Sequence, residues 1–195
     1  MRNNLKKYSL LNLFTEAGLL KRVRRSGWWV AGISHPESVA EHSFRCAVIA
    51  YALAKMEKAD PYRSVMMALF NDIHEARIND LHKLGARYID FPQAEKRAFQ
   101  EQMQFLPQGI KKELTGLHNE RYIQKTKEAI IARDADILEC LIQAKEYVSA
   151  GFTLARKFQK KAPGFLKTRS AKLLWRNAKN WDMHSWWETL AEFRR

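Results

Sequence analysis

Segment 70–80 carries an unusually dense run of ionisable and amide side chains, directly after the apolar segment 65–70. If both segments form one helix, Asn71, Asp72 and Glu75 share a face, because side chains three or four residues apart are helix neighbours. Carboxylates near a helix C-terminus oppose the helix dipole unless a cation compensates them. Clustered oxygen donors of this kind bind divalent cations and activate water. Solvated surface acids are the structural alternative.

Two distant stretches can complete a metal site. His42 lies at a predicted helix start, and a late helix carries Asp134 and Asp136. A lone histidine in a first helical turn is more often structural than a ligand. The late helix also has a polar stripe at helical spacing, which is usually the exposed side of an amphipathic helix. Its members are Asp136, Glu139, Gln143 and Tyr147.

A loop rich in arginine and tryptophan precedes His42. Segment 21–36 has turn chemistry and no sustained period, and it contains Arg25 and Trp28. An arginine can hold a phosphate through two parallel hydrogen bonds, and a neighbouring tryptophan can wall in a sugar or base. The structural alternative is a tryptophan packed under a loop with surface arginines around it.

The chain carries two motifs that in combination resemble a known family. These are Pro-Glu-Ser-Val-Ala-Glu-His at 36–42 and Asn-Asp-Ile-His-Glu-Ala-Arg at 71–77. Together they resemble the metal-dependent phosphohydrolases of the HD-domain superfamily, and more narrowly their 5'-deoxynucleotidase branch. The resemblance covers most of the chain from Leu20 to Tyr147. It implies an all-α HD-domain helical bundle that forms a homodimer and removes the 5'-phosphate of a deoxynucleoside monophosphate.

The resemblance implies a set of metal ligands. It favours Asp136 over Asp134, because the Ile-Leu pair that follows Asp136 aligns with the apolar pattern after the last metal ligand of the family. Asp72 would also serve catalysis. The mixed nitrogen and oxygen sphere of the family suits Mn, Co, Zn or Ni better than Mg. The implied ligands are His42, Asn71, Asp72 and Asp136.

The resemblance further implies catalytic and substrate-binding roles. Glu75 would position or deprotonate a water, or protonate the leaving oxygen. Arg25 would neutralise the phosphate, while Trp28 and Asp80 would read the sugar, with Trp28 excluding a ribose 2'-hydroxyl. Arg77 belongs to the Glu-Ala-Arg-x-x-Asp motif and is assigned to the substrate side.

One position departs from the family pattern. The doublet that names the family is His-Asp, whereas this chain has Asn71-Asp72. An amide oxygen is a weaker donor than imidazole for a borderline transition metal, so metal affinity should fall. Three accounts are open: a site shifted toward harder cations, a site that binds nucleotide without catalysis, or a His-to-Asn change introduced to trap a substrate complex.

Hydrophobic periodicity predicts the helices that position these residues. We expect helices over 5–20, 38–56, 61–75, 94–103, 125–151, 166–178 and 185–193. The helix at 38–56 is predicted to bury one apolar face, and the tryptophans near the C-terminus are predicted to close a core. The predicted buried face contains Ala40, Phe44, Ala47, Val48, Tyr51 and Ala52.

Composition favours one helical globular domain over residues 1–195, with a core at about 20–150 and a C-terminal extension at 152–195. Apolar residues make up 46% of the chain, which excludes a disordered chain. Cys46 and Cys140 predict buried thiols in a reducing compartment. The sequence has no apolar run long enough to predict a signal peptide or a membrane helix, so we expect a cytoplasmic protein.

The net charge is +13, and segment 152–181 holds nine Lys and Arg without an acidic residue. Such a field attracts nucleotides or nucleic acid, although a solvated basic surface explains the charge more simply. Two other functions remain alternatives. One is a triphosphohydrolase of deoxynucleoside triphosphates, and the other is a catalytically silent nucleotide-binding or nucleic-acid-binding module.

Overall fold

The computed structural model describes residues 6–188 and Leu190, and it is built of helices. Within these residues no strand forms, and an isolated bridge joins Arg24 to Ser38. The all-α prediction is confirmed. The α-helices are α1 Ser9–Leu19, α2 Val39–Glu57, α3 Pro61–Leu69, α4 Glu75–Ile78, α5 Phe91–Met103, α6 Gln108–Ile123, α7 Lys127–Ser149, α8 Arg156–Lys161, α9 Arg169–Ala178 and α10 Ser185–Glu188, with 3-10 turns at Ser26–Ala31, Gly85–Arg87, Thr153–Ala155 and Ala162–Phe165.

Helices α2, α3 and α7 pack against one another and form the centre of the molecule, and α6, α8 and α9 also pack on α7. Their contact faces are apolar, with Leu53, Ile131 and Leu141 fully buried. A second, smaller apolar cluster lies under the 3-10 turn at 26–31 and includes Trp28. Burial of these side chains is the main stabilising contribution to the fold.

Polar caps fix where the central helices begin. Ser38 and Glu41 form a reciprocal capping box that starts α2, since the Ser38 hydroxyl accepts from the Glu41 N–H and the Glu41 carboxylate accepts from the Ser38 N–H. Asp60 caps α3 ahead of a proline at its first position. Thr126 caps α7, since its hydroxyl accepts from the Ala129 N–H. The capping box sets the register that turns His42 inward.

The predicted buried face of α2 is wrong. Phe44, Val48 and Tyr51 are all more than half exposed. The opposite face packs on α3 and α7, and it includes Cys46 and Leu53. Both faces of this helix carry apolar residues, so periodicity alone does not choose between them.

The predicted continuous helix through 61–75 is also wrong. Helix α3 ends at Leu69, and Phe70 has dihedral angles (φ −97°, ψ 4°) outside the regular helical range. Tighter i to i+3 hydrogen bonds follow, including Glu75 N–H to the Asp72 carbonyl at 3.0 Å. Asn and Asp compete with the helical backbone for hydrogen bonds, which favours a turn at this point. Glu75 therefore begins a new short helix, α4.

The C-terminal segment folds back onto α7. The predicted helices at 166–178 and 185–193 are observed at Arg169–Ala178 and Ser185–Glu188, and Phe193 lies outside the described residues. Trp175 packs into the core as predicted. The same prediction is wrong for three others, which are exposed: Trp181, Trp186 and Trp187. No helix in the described ranges is long and apolar enough to cross a membrane.

Candidate metal and phosphate site

His42 stands at the centre of a buried polar cluster. It is the fourth residue of α2, and only 1% of its surface is exposed. Its Nε2 lies 3.3 Å from Asp136 Oδ1 and 3.6 Å from Asp72 Oδ2. Three residues from α2, the α3–α4 turn and α7 are therefore brought together, as the sequence motifs predicted them to be.

Asn71 and Asp72 occupy the turn between α3 and α4. The Asn71 amide donates from Nδ2 to Asp72 Oδ1 at 2.5 Å. Asp72 is thus held between this amide and His42. The nearby His74 does not replace the missing imidazole, because its Nε2 lies 3.3 Å from Glu95 on α5.

The two aspartates of α7 have different surroundings. Asp136 faces His42, and burial is opposed by the hydrogen bond and charge of His42, which lower the pKa of Asp136. Asp134 is fully buried elsewhere and accepts from the N–H groups of Lys167 and Thr168 and from the Thr168 hydroxyl. The geometry therefore leaves Asp136 as the residue of this pair that faces the cluster.

A second carboxylate, Glu139, holds the other side of the imidazole. His42 Nδ1 lies 2.6 Å from Glu139 Oε2, Arg45 Nε donates to Glu139 Oε1 at 2.9 Å, and Arg45 Nη2 lies 2.7 Å from the same oxygen. Glu139 is completely buried. Burial opposes ionisation, but the contacts with His42 and Arg45 lower the pKa of Glu139. The ionised carboxylate accepts the Nδ1 proton, so Nε2 is the ring nitrogen that faces Asp72 and Asp136 and that would ligate a cation bound between them.

Sequence reasoning missed Glu139 and Arg45 as site residues. A polar stripe is usually the exposed side of a helix, and the resemblance singles out only Asp136 from this one, yet the stripe of α7 faces α2 and the segment before it. Gln143 accepts from Arg45, and the Tyr147 hydroxyl accepts from the Glu37 N–H at 2.8 Å. The available signal was the presence of Arg45 one turn beyond His42, which makes two inward polar positions on α2 opposite that stripe.

Arg25 and Asp80 form a half-buried ion pair beside the cluster. Arg25 Nη1 donates to Asp80 Oδ2 at 3.0 Å, and Asp80 Oδ1 accepts from the N–H and hydroxyl of Ser26 at 2.9 and 2.8 Å. Burial lowers the pKa of Arg25, but the charges of Asp72, Asp136 and Asp80 raise it well above its ordinary value. Arg25 therefore lies close enough to the carboxylates to neutralise them or an incoming anion.

Glu75 contributes a buried carboxyl group beside Asp72 and Asp80. It is 5% exposed, and its Oε2 is buried without a hydrogen-bond partner. Burial, reinforced by the charges of Asp72 and Asp80, raises the pKa of Glu75 to about 10. A carboxyl group with this pKa holds its proton at neutral pH and can donate it.

Two predicted substrate residues make other contacts. Trp28 is 3% exposed, donates from Nε1 to Glu37 at 3.0 Å and packs edge-on against Tyr147. The guanidinium of Arg77 pairs with Glu16 on α1 at 2.7 Å rather than with the cluster around His42. The geometry of these two side chains gives no support to direct contact with substrate.

The cluster has the donor chemistry that a divalent metal requires. It combines an imidazole nitrogen with carboxylate oxygens, and the donor atoms of His42, Asp136 and Cys46 lie within 4.8 Å of one another. Burial raises the pKa of the Cys46 thiol to about 12, so the carboxylates are the anionic donors at neutral pH. This mixed set fits a borderline transition metal held by His42, Asp72 and Asp136, with Asn71 adjacent.

Comparisons with known proteins identify the family of the chain. A family model described as HD domain matches residues 17–173. The chain is 35% identical over 144 residues to human 5'-deoxynucleotidase HDDC2, covering 71% of this chain and 68% of that protein. The Dictyostelium discoideum protein of the same name is 32% identical over 158 residues, covering 76% and 83%.

A solved structure agrees with the fold. The PH0347 protein from Pyrococcus horikoshii OT3 is 28% identical, with a TM-score of 0.74 over 87% of this chain and 96% of that one. The family model runs from the end of α1 into the first half of α9 and contains every residue of the cluster around His42. This chain therefore belongs to the HD-domain family.

Proposed function

We propose that the protein is a metal-dependent phosphohydrolase that removes the 5'-phosphate of deoxynucleoside monophosphates. The observation that carries the proposal is the convergence of His42 Nε2 with the carboxylates of Asp72 and Asp136 at 3.6 and 3.3 Å, beside the half-buried Arg25. The names of the HDDC2 relatives support the choice of deoxynucleotides. A bound divalent cation would supply Lewis acidity that acidifies water and offsets phosphate charge.

The residues of the chain perform the remaining tasks. Asp72 and Asp136 hold negative charge at the buried end of the site, and Arg25 draws the phosphate toward them. Glu75 retains its proton at neutral pH and delivers it to the leaving 5'-oxygen, which would otherwise depart as an alkoxide. Asp80 orients Arg25 through its ion pair, and the earlier assignment of Asp80 to the sugar stays a prediction.

The decisive experiment compares the wild-type protein with Asn71→His. Phosphate release from a panel of deoxynucleoside mono- and triphosphates is measured with Mn, Co, Zn, Ni and Mg supplied in turn. We expect activity with the transition metals, raised by Asn71→His because imidazole is the stronger donor. Release of tripolyphosphate would indicate the triphosphohydrolase, and the absence of turnover from both proteins would contradict the proposal and favour a silent binding module.

We also propose that the protein is a homodimer in the cytoplasm. Its two cysteines are free, which suits a reducing compartment. Phe44, Val48 and Tyr51 form an exposed apolar stripe on the outer face of α2, and stripes of this kind mark association surfaces. Phe44→Glu should convert the dimer to a monomer in sedimentation velocity, whereas a monomeric wild-type protein would refute the dimer.

A further inference from the structure

A second arginine, Arg121, reaches the cluster from a helix that the sequence motifs do not include. It lies in the last turn of α6, and its side chain is 13% exposed. Its Nη2 is 3.4 Å from Asp136 Oδ2, on the carboxylate oxygen that does not face His42. Arg121 is therefore a neighbour of the same carboxylate that completes the metal site.

The hydrogen bonds of this guanidinium are incomplete. A distance of 3.4 Å is longer than the 2.7 to 2.9 Å typical of charge-assisted pairs. The Nε of Arg121 is buried and has no acceptor. Leaving a buried donor of a charged group unpaired is costly, and such atoms call for a functional explanation.

Arg45 shows what an arginine with all its hydrogen bonds made inside the protein looks like here. Its Nε donates to Glu139, its Nη1 to Glu146 at 2.7 Å, and its Nη2 to Gln143. Each nitrogen of that guanidinium has an acceptor, whereas Arg121 has one long contact among the described residues. The described residues therefore leave room for a further acceptor at Arg121.

The surroundings of Arg121 define the chemistry of that further acceptor. Asp136 has a third of its side chain exposed, so the cluster opens toward solvent beside Arg121. Arg25 lies near the same carboxylate and provides a second guanidinium. A phosphate monoester carries up to two negative charges and several acceptor oxygens, which matches two converging arginines.

We propose that Arg121 is a second phosphate-binding residue, which donates hydrogen bonds from Nε and Nη2 to the phosphoryl oxygens of the substrate. This inference rests on the proposed function, because it places the phosphate of a nucleotide at the His42 cluster. It assigns to α6 a share of substrate recognition that neither the family motifs nor the position of Arg25 indicated. Arg121 and Arg25 then hold the phosphate from two sides.

The test measures phosphate binding directly, apart from turnover. Isothermal titration of the Mn-loaded protein with inorganic phosphate is performed on the wild type, Arg121→Met and Arg121→Lys. We expect Arg121→Met to raise the phosphate Kd about tenfold or more, the effect of losing a charge-assisted hydrogen bond, and Arg121→Lys to restore part of it. Affinity for a deoxynucleoside, which has no phosphate, should stay within twofold.

Arg63→Met is the matched control. Arg63 is an exposed arginine whose partner is Glu120, the residue before Arg121. Its removal takes away one positive charge and one contact of α6 but nothing that touches the cluster. We expect an unchanged phosphate Kd for this variant. Thermal unfolding by circular dichroism checks that each variant folds. If Arg121→Met does not fold, Arg121→Gln replaces it, and the same tenfold rise in the phosphate Kd is expected.

A phosphate Kd that Arg121→Met leaves unchanged would overturn the inference. If the Mn affinity of the same variant also rises tenfold, Arg121 only competes with the cation for Asp136. A wild type that binds phosphate through Arg121 but hydrolyses no nucleotide would refute the proposed function and leave this inference standing.

Discussion

The contact between His42 and Glu139 gives the sharpest prediction. In Glu139→Gln the side chain keeps its shape but loses its charge, and its single amide oxygen faces two donors, Arg45 and His42 Nδ1. If the amide oxygen accepts from Arg45, the amide NH₂ donates to His42 Nδ1, and the proton of the imidazole must then be on Nε2. If the amide oxygen accepts from His42, the NH₂ faces the guanidinium of Arg45, which is also a donor. Either arrangement leaves a buried polar group without its partner.

The magnitude follows from the burial of this pair. Removing one partner of a buried ion pair costs about 3 to 5 kcal/mol, and because Gln retains one acceptor we expect about 3 kcal/mol. Metal affinity should fall about 10- to 100-fold, the usual effect of losing the carboxylate that orients a histidine ligand. Urea unfolding of the metal-free protein gives the first quantity, and isothermal titration with Mn gives the second.

Glu146→Gln is the control for this prediction. Glu146 also accepts from Arg45, but its side chain is 39% exposed and does not touch His42. We expect a loss of no more than about 1 kcal/mol and an unchanged metal Kd. The reasoning is refuted if Glu139→Gln binds Mn as tightly as the wild type, because His42 would then be oriented without Glu139.

Three further predictions concern other contacts. Asp134→Ala should lower the free energy of unfolding by about 3 kcal/mol and leave the Mn affinity unchanged. Asp136→Ala should lower the Mn affinity and leave the free energy of unfolding nearly unchanged. Equal effects of the two variants on both quantities would contradict a structural role for Asp134 and a metal-binding role for Asp136. Burial raises the pKa of Glu16, but its hydrogen bonds to Arg77 and Gln102 lower the pKa overall, so the ionised carboxylate stabilises the fold at pH values above 4.5, the pKa in the unfolded chain. Glu16→Gln should lower the free energy of unfolding by about 1 kcal/mol at neutral pH. Urea denaturation at decreasing pH should show this difference disappear as the pH falls through the pKa of Glu16 in the folded protein. Trp28→Phe should cost about 1 kcal/mol through the lost bond to Glu37 and leave the ratio of deoxy- to ribonucleotide hydrolysis unchanged, whereas a changed ratio would restore its predicted sugar contact.

The all-helical fold and the family were predictable from the sequence, because helical periodicity is a strong local signal and the two motifs are specific in combination. The meeting of His42, Asp72 and Asp136 was anticipated through the motifs alone. Hydrophobic pattern gave the wrong face of α2, since Phe44 and Val48 satisfy the helical period as well as the residues that pack inward.

Other features depend on contacts between distant segments. The break after Leu69 arises where Asn71 and Asp72 compete with the backbone, a local preference that the preceding apolar run concealed. Glu139 lies in a polar stripe that is typical of an exposed helix face, and only the packing of α2 against α7 buries it. Arg121 carries no motif, and its approach to Asp136 depends on how α6 docks on α7, which the sequence pattern of α6 does not encode.

The surroundings of Asp134 bear on how this chain can be shortened. Its carboxylate is fully buried, and the groups that donate to it belong to Lys167 and Thr168, at the start of α9. A truncated protein that stopped ahead of these residues would retain every member of the His42 cluster, yet it would expose or strand a negative charge two positions from Asp136. The start of α9 is consequently part of the structure that supports the His42 cluster, and a shortened chain must extend at least through α9.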